Sequence, residues 1–341
     1  MTKASIIIPT FNRPEALRNC VRALLQQTYA SDEFEILVVD DGSAHPIDAA
    51  ELADQSGRTA SNPQVRVIRQ VNSGPAAARN LGAQEARGEL LAFIDDDCLA
   101  EEGWLAELIE THQRHPDALV GGESINALHD NVFAVTNQII LDFVYEYFNL
   151  NPSDAVFLAS NNWLCRREMY LQLGGFSTKF RMAGGEDRDF CFRWNAAGFP
   201  IVWQREARAR HLHHQNLPKF LNMHMRYGRG AYHFHKVVAQ SNFRRNEELR
   251  SFYRSLLWRV LQRLRGTPGW LRRGQITLLL LSWQVFNALG SMFEAMNNMT
   301  TARRNRKSDP ETGHKTSGLP TLKWSGEGER FISPTNSEEI R

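Results

Sequence analysis

The sequence predicts an α/β fold: a mostly parallel sheet with helices on both faces, followed by a C-terminal helical extension. Three observations predict it. Apolar runs at 5–9, 34–40 and 90–95 have the length and branched-residue content of strands buried on both faces, and 65–69 reads as a further strand. Helical stretches at 14–25, 76–86 and 101–115 lie between or after them, the alternation that produces parallel βαβ units. Beyond about residue 216 the pattern turns helical and basic.

The first run, Ser5-Ile6-Ile7-Ile8-Pro9, ends at proline, and Thr10-Phe11-Asn12-Arg13-Pro14 turns into a helix with Leu17, Val21, Leu24 and Leu25 on one face. The second run ends in the loop Asp40-Asp41-Gly42-Ser43, and the third leads through Asn72-Ser73-Gly74-Pro75 into the next helix. The fourth, Leu90-Leu91-Ala92-Phe93-Ile94, stops in three carboxylates, Asp95, Asp96 and Asp97. Like charges in a row are tolerated where a cation or solvent neutralises them, so this is either a cation site or a solvated turn. If the strand continued, Asp95 and Asp97 would project to one side as hard oxygen ligands for Mg²⁺ or Mn²⁺, with Asp96 opposite. Ligands of such sheets bind outside the carboxyl ends of the strands. Thr10, Asp40, Asp41, Asn72, Asp95 and Asp97 all fall there, which favours the cation site.

With 341 residues, 42% hydrophobic and 23% charged, the chain is an ordinary globular protein of two domains, or one with an extension. A net charge of +2 argues against nucleic acid as the main partner. Cys20, Cys98, Cys165 and Cys191 have neither zinc nor redox spacing, so reduced thiols in a cytoplasmic setting are expected. The first residues show no signal peptide.

Further along, 131–148 carries an apolar face at helical spacing, 156–162 reads as a strand ending in Asn161 and Asn162, and 166–173 as a helix. Gly184-Gly185-Glu186-Asp187 joins two glycines, which let backbone approach a ligand, to acids that open a helix. A short strand at 201–203 precedes the cluster His211, His213, His214.

Five segments closely resemble glycosyltransferase family 2, in family order over roughly the first two thirds of the chain: 5–13, Val38-Val39-Asp40-Asp41-Gly42-Ser43, 74–82, Phe93-Ile94-Asp95-Asp96-Asp97 and Gly184-Gly185-Glu186-Asp187. The resemblance implies a GT-A fold over 1–215, a nucleotide-sugar donor that is UDP-linked, Mn²⁺ or Mg²⁺, and inversion at the anomeric carbon. Position by position, it implies that Asp40 binds the donor base with Asp41 beside it. Thr10, Asn12 and Arg13 match the first nucleotide-binding loop, Asp96 lies on the donor side, and Asp95 and Asp97 match the metal-binding acids. Arg79 is either a donor contact or an ion-pair partner that buttresses the acidic loops.

Asp187 matches the base that deprotonates the acceptor hydroxyl, with Glu186 as an acceptor-binding neighbour. The alternative for both is charge complementarity at a helix N-terminus. Asn161 and Asn162 fall where the family recognises acceptor hydroxyls, although asparagine also favours turns. His211, or failing it His213, matches a further metal ligand, and Arg226 or Arg229 either closes over the diphosphate or packs a helix.

From 244 to 273, nine arginines outnumber Glu247 and Glu248 and interleave with aromatic and aliphatic residues, a basic amphipathic pattern suited to an anionic membrane surface. Residues 276–296 are apolar but interrupted by Gln284, Asn287 and Glu294, so they are expected to lie on a membrane or on the domain rather than span. The helical extension is thus expected over 216–300 and a disordered tail over 301–341. The reaction expected is transfer of a sugar to a glycan or lipid-linked acceptor in polysaccharide biosynthesis, at the cytoplasmic face of the membrane. The rivals are a nucleotidyltransferase, disfavoured because Pro9-Thr10-Phe11-Asn12 stands where a glycine-rich loop would be, and a catalytically silent sugar-binding scaffold.

Overall fold

The computed structural model describes residues 2–53, 63–180, 184–240, 262, 264 and 269–308. It divides into two compact units, 1–297 and 298–341, and the first contains everything that bears on the site.

That unit is built on one eight-stranded sheet in the order β3-β2-β1-β4-β7-β6-β8-β5. The strands are β1 (Ala4–Thr10), β2 (Phe34–Asp40), β3 (Gln64–Arg69), β4 (Leu90–Ile94), β5 (Cys98–Ala100), β6 (Leu119–Asn126), β7 (Asn162–Arg166) and β8 (Ile201–His211). The half β3-β2-β1-β4 is parallel throughout, as the buried apolar runs predict. The other half is mixed: β7 runs antiparallel to β4 and β6, β8 parallel to β6, and β5 antiparallel to β8.

Alternate residues of these strands feed two cores. Ile6, Ile8, Ile36, Val38, Ala92 and Ile94 face α1 (Pro14–Leu24) and α4 (Trp104–Arg114). Ile7, Val39, Leu91 and Phe93 face the side covered by α3 (Pro75–Glu85), α5 (Val132–Phe148), α6 (Arg167–Gln172) and α7 (Glu186–Ala196). The short α2 is Ala49–Ala53. On the second side Phe93, Trp163, Tyr170, Phe176 and Phe190 stack ring against ring at 5.1–6.1 Å. Such contacts add to the apolar burial and hold α7 against the sheet.

Two expected boundaries shift. The strand expected at 156–162 begins only at Asn162, and the short strand at 201–203 continues to His211, which is its last residue. Two long helices complete the unit, α8 (Leu217–Gln240) and α9 (Trp270–Ser308). α9 buries Ile276, Leu279, Leu280 and Trp283, and is the one described helix long and apolar enough to cross a membrane. Most of the basic stretch 244–273 and the tail from 309 onward lie outside the described residues, while 301–308 continue the helix.

Candidate active site

β4 stops at Ile94 and the chain turns at once, with Cys98 N donating to the Asp95 carbonyl at 3.0 Å. A turn breaks strand alternation, so the expectation for Asp95 and Asp97 that rested on a continuing strand loses its basis, although Asp95 still acts electrostatically on Arg13 and His211. Asp96 and Asp97 share one partner instead: Arg13 Nη1 donates to Asp96 Oδ1 at 3.0 Å and to Asp97 Oδ2 at 2.9 Å. Thr10 Oγ1 donates to Asp96 Oδ2 at 2.7 Å, and His211 Nε2 stands 3.2 Å from Asp97 Oδ1. Asp95 accepts from Arg79 Nη2 at 2.5 Å.

The charges sort these acids. Burial pushes the Asp96 carboxyl up to about 6 against the pull of Arg13. Burial would raise Asp97 too, but His211 and Arg13 outweigh it and hold that carboxylate well below the usual range. The same contact raises His211 against its own burial. His213 stacks on His211 with ring centres 4.6 Å apart and hydrogen-bonds Gln215 Nε2 at 2.8 Å. Burial, then the His211 charge, pushes it down to about 3, so it stays neutral.

Among the described residues, the ligand atoms of Asp97, Cys98 and His211 lie within 4.8 Å of one another. Cys98 is fully buried, and burial followed by Asp97 and Asp95 raises its thiol far above the ordinary value, so it stays protonated and is a poor ligand for a hard cation. Asp97 and His211 remain, an oxygen–nitrogen pair that suits Mn²⁺ better than Mg²⁺. Asp95, expected as a ligand, is outside this group because Arg79 holds its Oδ1.

The loops after β1 and β2 form the adjoining floor. Asn12 adopts φ 54°, donates its N–H to Ser43 Oγ at 2.9 Å, and accepts from Ala44 N at 2.8 Å. Asp40 Oδ1 accepts from Ser43 N at 2.8 Å. Its buried Oδ2 has no hydrogen-bond donor, only Arg69 at 3.3 Å. Asp41 is spent on its own loop, accepting from Gln70, Ser73 N and Gly74 N at 2.6–2.9 Å. Asp40 is thus placed to receive a ligand, and Asp41 shapes the loop beside it.

Arg79 joins this floor to the second acidic centre. It is 4% exposed, packs 5.4 Å from the Phe176 ring centre, and reaches Glu186 Oε1 at 3.8 Å with its other nitrogen. Arg79 makes the ion pairs that the buttress reading expects, and its buried Nε and Nη1 have no hydrogen-bond partner. Glu186 opens α7 and accepts from Gly184 N at 2.6 Å. Burial, then the neighbouring Asp187, pushes its carboxyl up. Asp187, half-buried, accepts from Arg188 N at 2.8 Å. Burial raises it more than Arg188 and Arg79 lower it.

Gly184 and Gly185 take φ 132° and 98°, a backbone that side chains rarely adopt. α8 lies directly on this turn. A Cβ on Gly230 would sit 1.7 Å from the Gly184 carbonyl oxygen, and one on Gly228 2.1 Å from the Asn287 oxygen of α9. Arg229 Nε donates to Glu294 Oε2 at 2.7 Å and lies over Phe293, so it binds α9 rather than a diphosphate. Arg226 keeps a buried Nε with no hydrogen-bond partner.

Asn162, expected at the acceptor, is fully buried. It accepts from Trp104 Nε1 at 2.7 Å and donates to the Glu123 and Ala207 carbonyls at 3.1 Å. Its amide tethers α4, β6 and β8. Asn161 is 8% exposed and ties Ser124 Oγ to the Cys98 sulfur, behind the acidic turn. Sequence reasoning missed Cys98 and the glycine contacts of α8. The Gly228-Arg229-Gly230 spacing inside a helical pattern was a signal for the latter, since mid-helix glycine commonly marks close packing.

Residues 5–174 match the family described as Glycosyl transferase family 2, and 156–215 match one described as the N-terminal domain of galactosyltransferase. Glycosyltransferase AglE of Haloferax volcanii is 36% identical over 118 residues, 35% of this chain and 38% of that protein. Glucosyl-dolichyl phosphate glucuronosyltransferase of the same organism is 25% identical over 61% of this chain and 69% of its own length. Pre-mycofactocin glycosyltransferase of Mycobacterium tuberculosis is 27% identical over 67% and 46%. The match spans less than half the length of the first and third of these relatives. Among solved structures, a mannosyltransferase from Pyrobaculum calidifontis in complex with GDP-Man and Mn²⁺ superposes with a TM-score of 0.55 over 90% of this chain and 81% of that one, at 15% identity. The fold is GT-A, and the chain belongs to glycosyltransferase family 2.

Proposed function

We propose that the chain is a metal-dependent inverting transferase that moves a sugar from a UDP-sugar to a hydroxyl of a glycan or lipid-linked acceptor, at the cytoplasmic face of a membrane. The observation that carries this reading is Arg79, which bridges Asp95 at 2.5 Å and Glu186 at 3.8 Å. One guanidinium thereby ties an acid that follows β4 to an acid that opens α7, which supports reading the two segments as parts of one site.

In this reading Asp40 Oδ2 receives the base, and Thr10, Asn12 and Arg13 line the path to the diphosphate. Asp97 and His211 would hold Mn²⁺ or Mg²⁺, which when bound neutralises charge developing on the departing diphosphate. Arg13, with a side chain 55% exposed, is free to swing from Asp96 and Asp97 onto a phosphate. Asp187 takes the proton of the acceptor hydroxyl as its oxygen attacks the anomeric carbon, and the carbon–diphosphate bond breaks on the opposite face. The raised Asp187 carboxyl is the better base for it, because proton transfer is most effective when the base titrates nearer the working pH. Glu186, locked by Gly184 N and Arg79, holds the start of α7 in place.

The test is nucleoside diphosphate release from a panel of nucleotide sugars with Mn²⁺, alongside donor-induced thermal stabilisation. Asp187→Asn is expected to keep the stabilisation and lose about 10²–10⁴-fold in turnover. Asp97→Ala is expected to lose Mn²⁺-dependent stabilisation as well. Wild-type turnover in Asp187→Asn refutes the assignment of the base, and no release by the wild type with any donor refutes the enzyme reading.

A further inference from the structure

α9 presents two opposite faces. One is fixed to the domain along most of its length: Arg272 donates to the His129 carbonyl, Ser291 Oγ to the Gly228 carbonyl at 2.7 Å, and Glu294 pairs with Arg229 and His233 at 2.7 and 3.0 Å. From Arg272 to Glu294 is about 33 Å at the helical rise of ~1.5 Å per residue, the full thickness of a bilayer's hydrocarbon. A helix held side-on over that distance cannot also thread the bilayer.

The other face is apolar and open. Leu271, Leu278, Leu281, Val285, Leu289 and Met292 are 43–67% exposed. Leu271, Leu278, Val285 and Met292 recur every seven residues and so form one seam along the helix. The charge around the seam is one-sided. Arg272 and Arg273 stand near its start in the sequence, Arg272 turned to the His129 carbonyl, and Arg303, Arg304, Arg306 and Lys307 follow. Glu294 is the one carboxylate between 270 and 308, and it is turned to the domain. A second copy on this seam would pair a basic, carboxylate-poor sequence with itself, whereas an anionic headgroup layer complements that charge and takes the leucines.

We propose that the exposed seam of α9 lies flat in the interface of an anionic bilayer, docking the domain without spanning. This adds a surface to the transfer reading and does not depend on it. The contacts of α8 then tie the docked helix to the active-site turn, since Gly228 abuts Asn287 on one side and Gly230 abuts Gly184 on the other.

The experiment is flotation of the full chain with vesicles of equal parts phosphatidylglycerol and phosphatidylcholine, and with phosphatidylcholine alone. The wild type is expected to float with the anionic vesicles and about tenfold less with the neutral ones. The triple variant Leu278→Gln, Val285→Gln, Met292→Gln changes exposed positions without adding charge. It is expected to keep its circular dichroism and thermal midpoint and to remain at the bottom of the gradient. Should the triple variant unfold, Leu278→Gln and Met292→Gln singly are each expected to lower flotation. The proposal is overturned by a wild type that fails to float, by variants that float equally well, or by wild-type protein that resists alkaline carbonate extraction as a spanning helix does. A wild-type dimer that the triple variant converts to monomer, without vesicle binding, assigns the seam to a second copy and also overturns it.

Discussion

Replacing Arg79 by methionine removes, among the described residues, the cation that pairs with both Asp95 and Glu186 while keeping most of the side-chain volume. At 2.5 and 3.8 Å, and with an effective dielectric of about 20, each attraction is worth at least ~4 kcal/mol before desolvation is subtracted. Asp95, whose side chain is 30% exposed, can recover water, but Glu186 at 5% cannot. Stripping one member from a buried ion pair costs about 3–5 kcal/mol, most of it from the acid left behind. That corresponds to a fall of roughly 6–12 °C in the thermal midpoint of a domain this size.

The loss should depend on pH in a stated direction. Glu186 already titrates above its unfolded value, and without Arg79 it rises further. An acid raised in the folded state destabilises above its folded pKa, and the penalty is relieved as pH falls through that value. Urea unfolding of the variant should therefore show a larger deficit at pH 8 than at pH 5. Arg79→Lys, which keeps the charge but not the two-pronged reach, should recover only part of it. A deficit under about 1 kcal/mol at pH 8, or one that grows on acidification, refutes the claim that Arg79 is the bridge.

Other substitutions separate scaffold from chemistry. Gly230→Ala places a methyl 1.7 Å from the Gly184 carbonyl oxygen, so the turn before Asp187 must move. A stability loss of about 1–3 kcal/mol with a fall in kcat larger than any change in donor KM is expected from steady-state kinetics. Asn162→Ala orphans Trp104 Nε1 and two carbonyls and should cost about 2–4 kcal/mol in urea unfolding, with the acceptor KM unchanged. His224, 1% exposed, is pushed down to about 4 by burial, so the unfolded chain takes up a proton that the folded chain refuses once pH drops below about 6.5. His224 alone should account for a fall of up to about 3 kcal/mol in wild-type stability between pH 6.5 and 4. His224→Gln, which retains a donor for Asn137, should lose that share of the slope and keep the share that His213 contributes.

The parallel half of the sheet was legible because β1, β2 and β4 are fully buried runs rich in branched apolar residues, with β3 a partly exposed edge strand that still carries Val65, Val67 and Ile68. The mixed half was not. β6 carries Gly121 and Gly122 in mid-strand because Leu158 and Asn162 crowd the space a side chain would need, and glycine in a strand erases the alternation that reveals one. Val156-Phe157-Leu158 has strand composition, yet Asn149 captures the backbone of Val156 and Phe157, and the ladder begins six residues later. At the site, Asp97 meets His211 across more than a hundred residues, and Arg79 links Asp95 to Glu186. Asp95 departs from expectation because alternation was extended past Ile94 into what is a turn. Asn162 departs because burial of its whole amide depends on Trp104, Glu123 and Ala207, partners that no local pattern names.

Backbone meets backbone at three glycines of this stack: Gly230 faces the Gly184 carbonyl, Gly228 faces Asn287, and Gly290 faces the Met225 carbonyl. Rotamers ordinarily form a soft cushion between helices, absorbing small displacements before they reach a neighbour. Here that cushion is missing in two successive layers. A shortened protein lacking α9 would therefore lose more than a surface: α8 would be left unsupported along one side, and the loop that aims Asp187 would slacken with it.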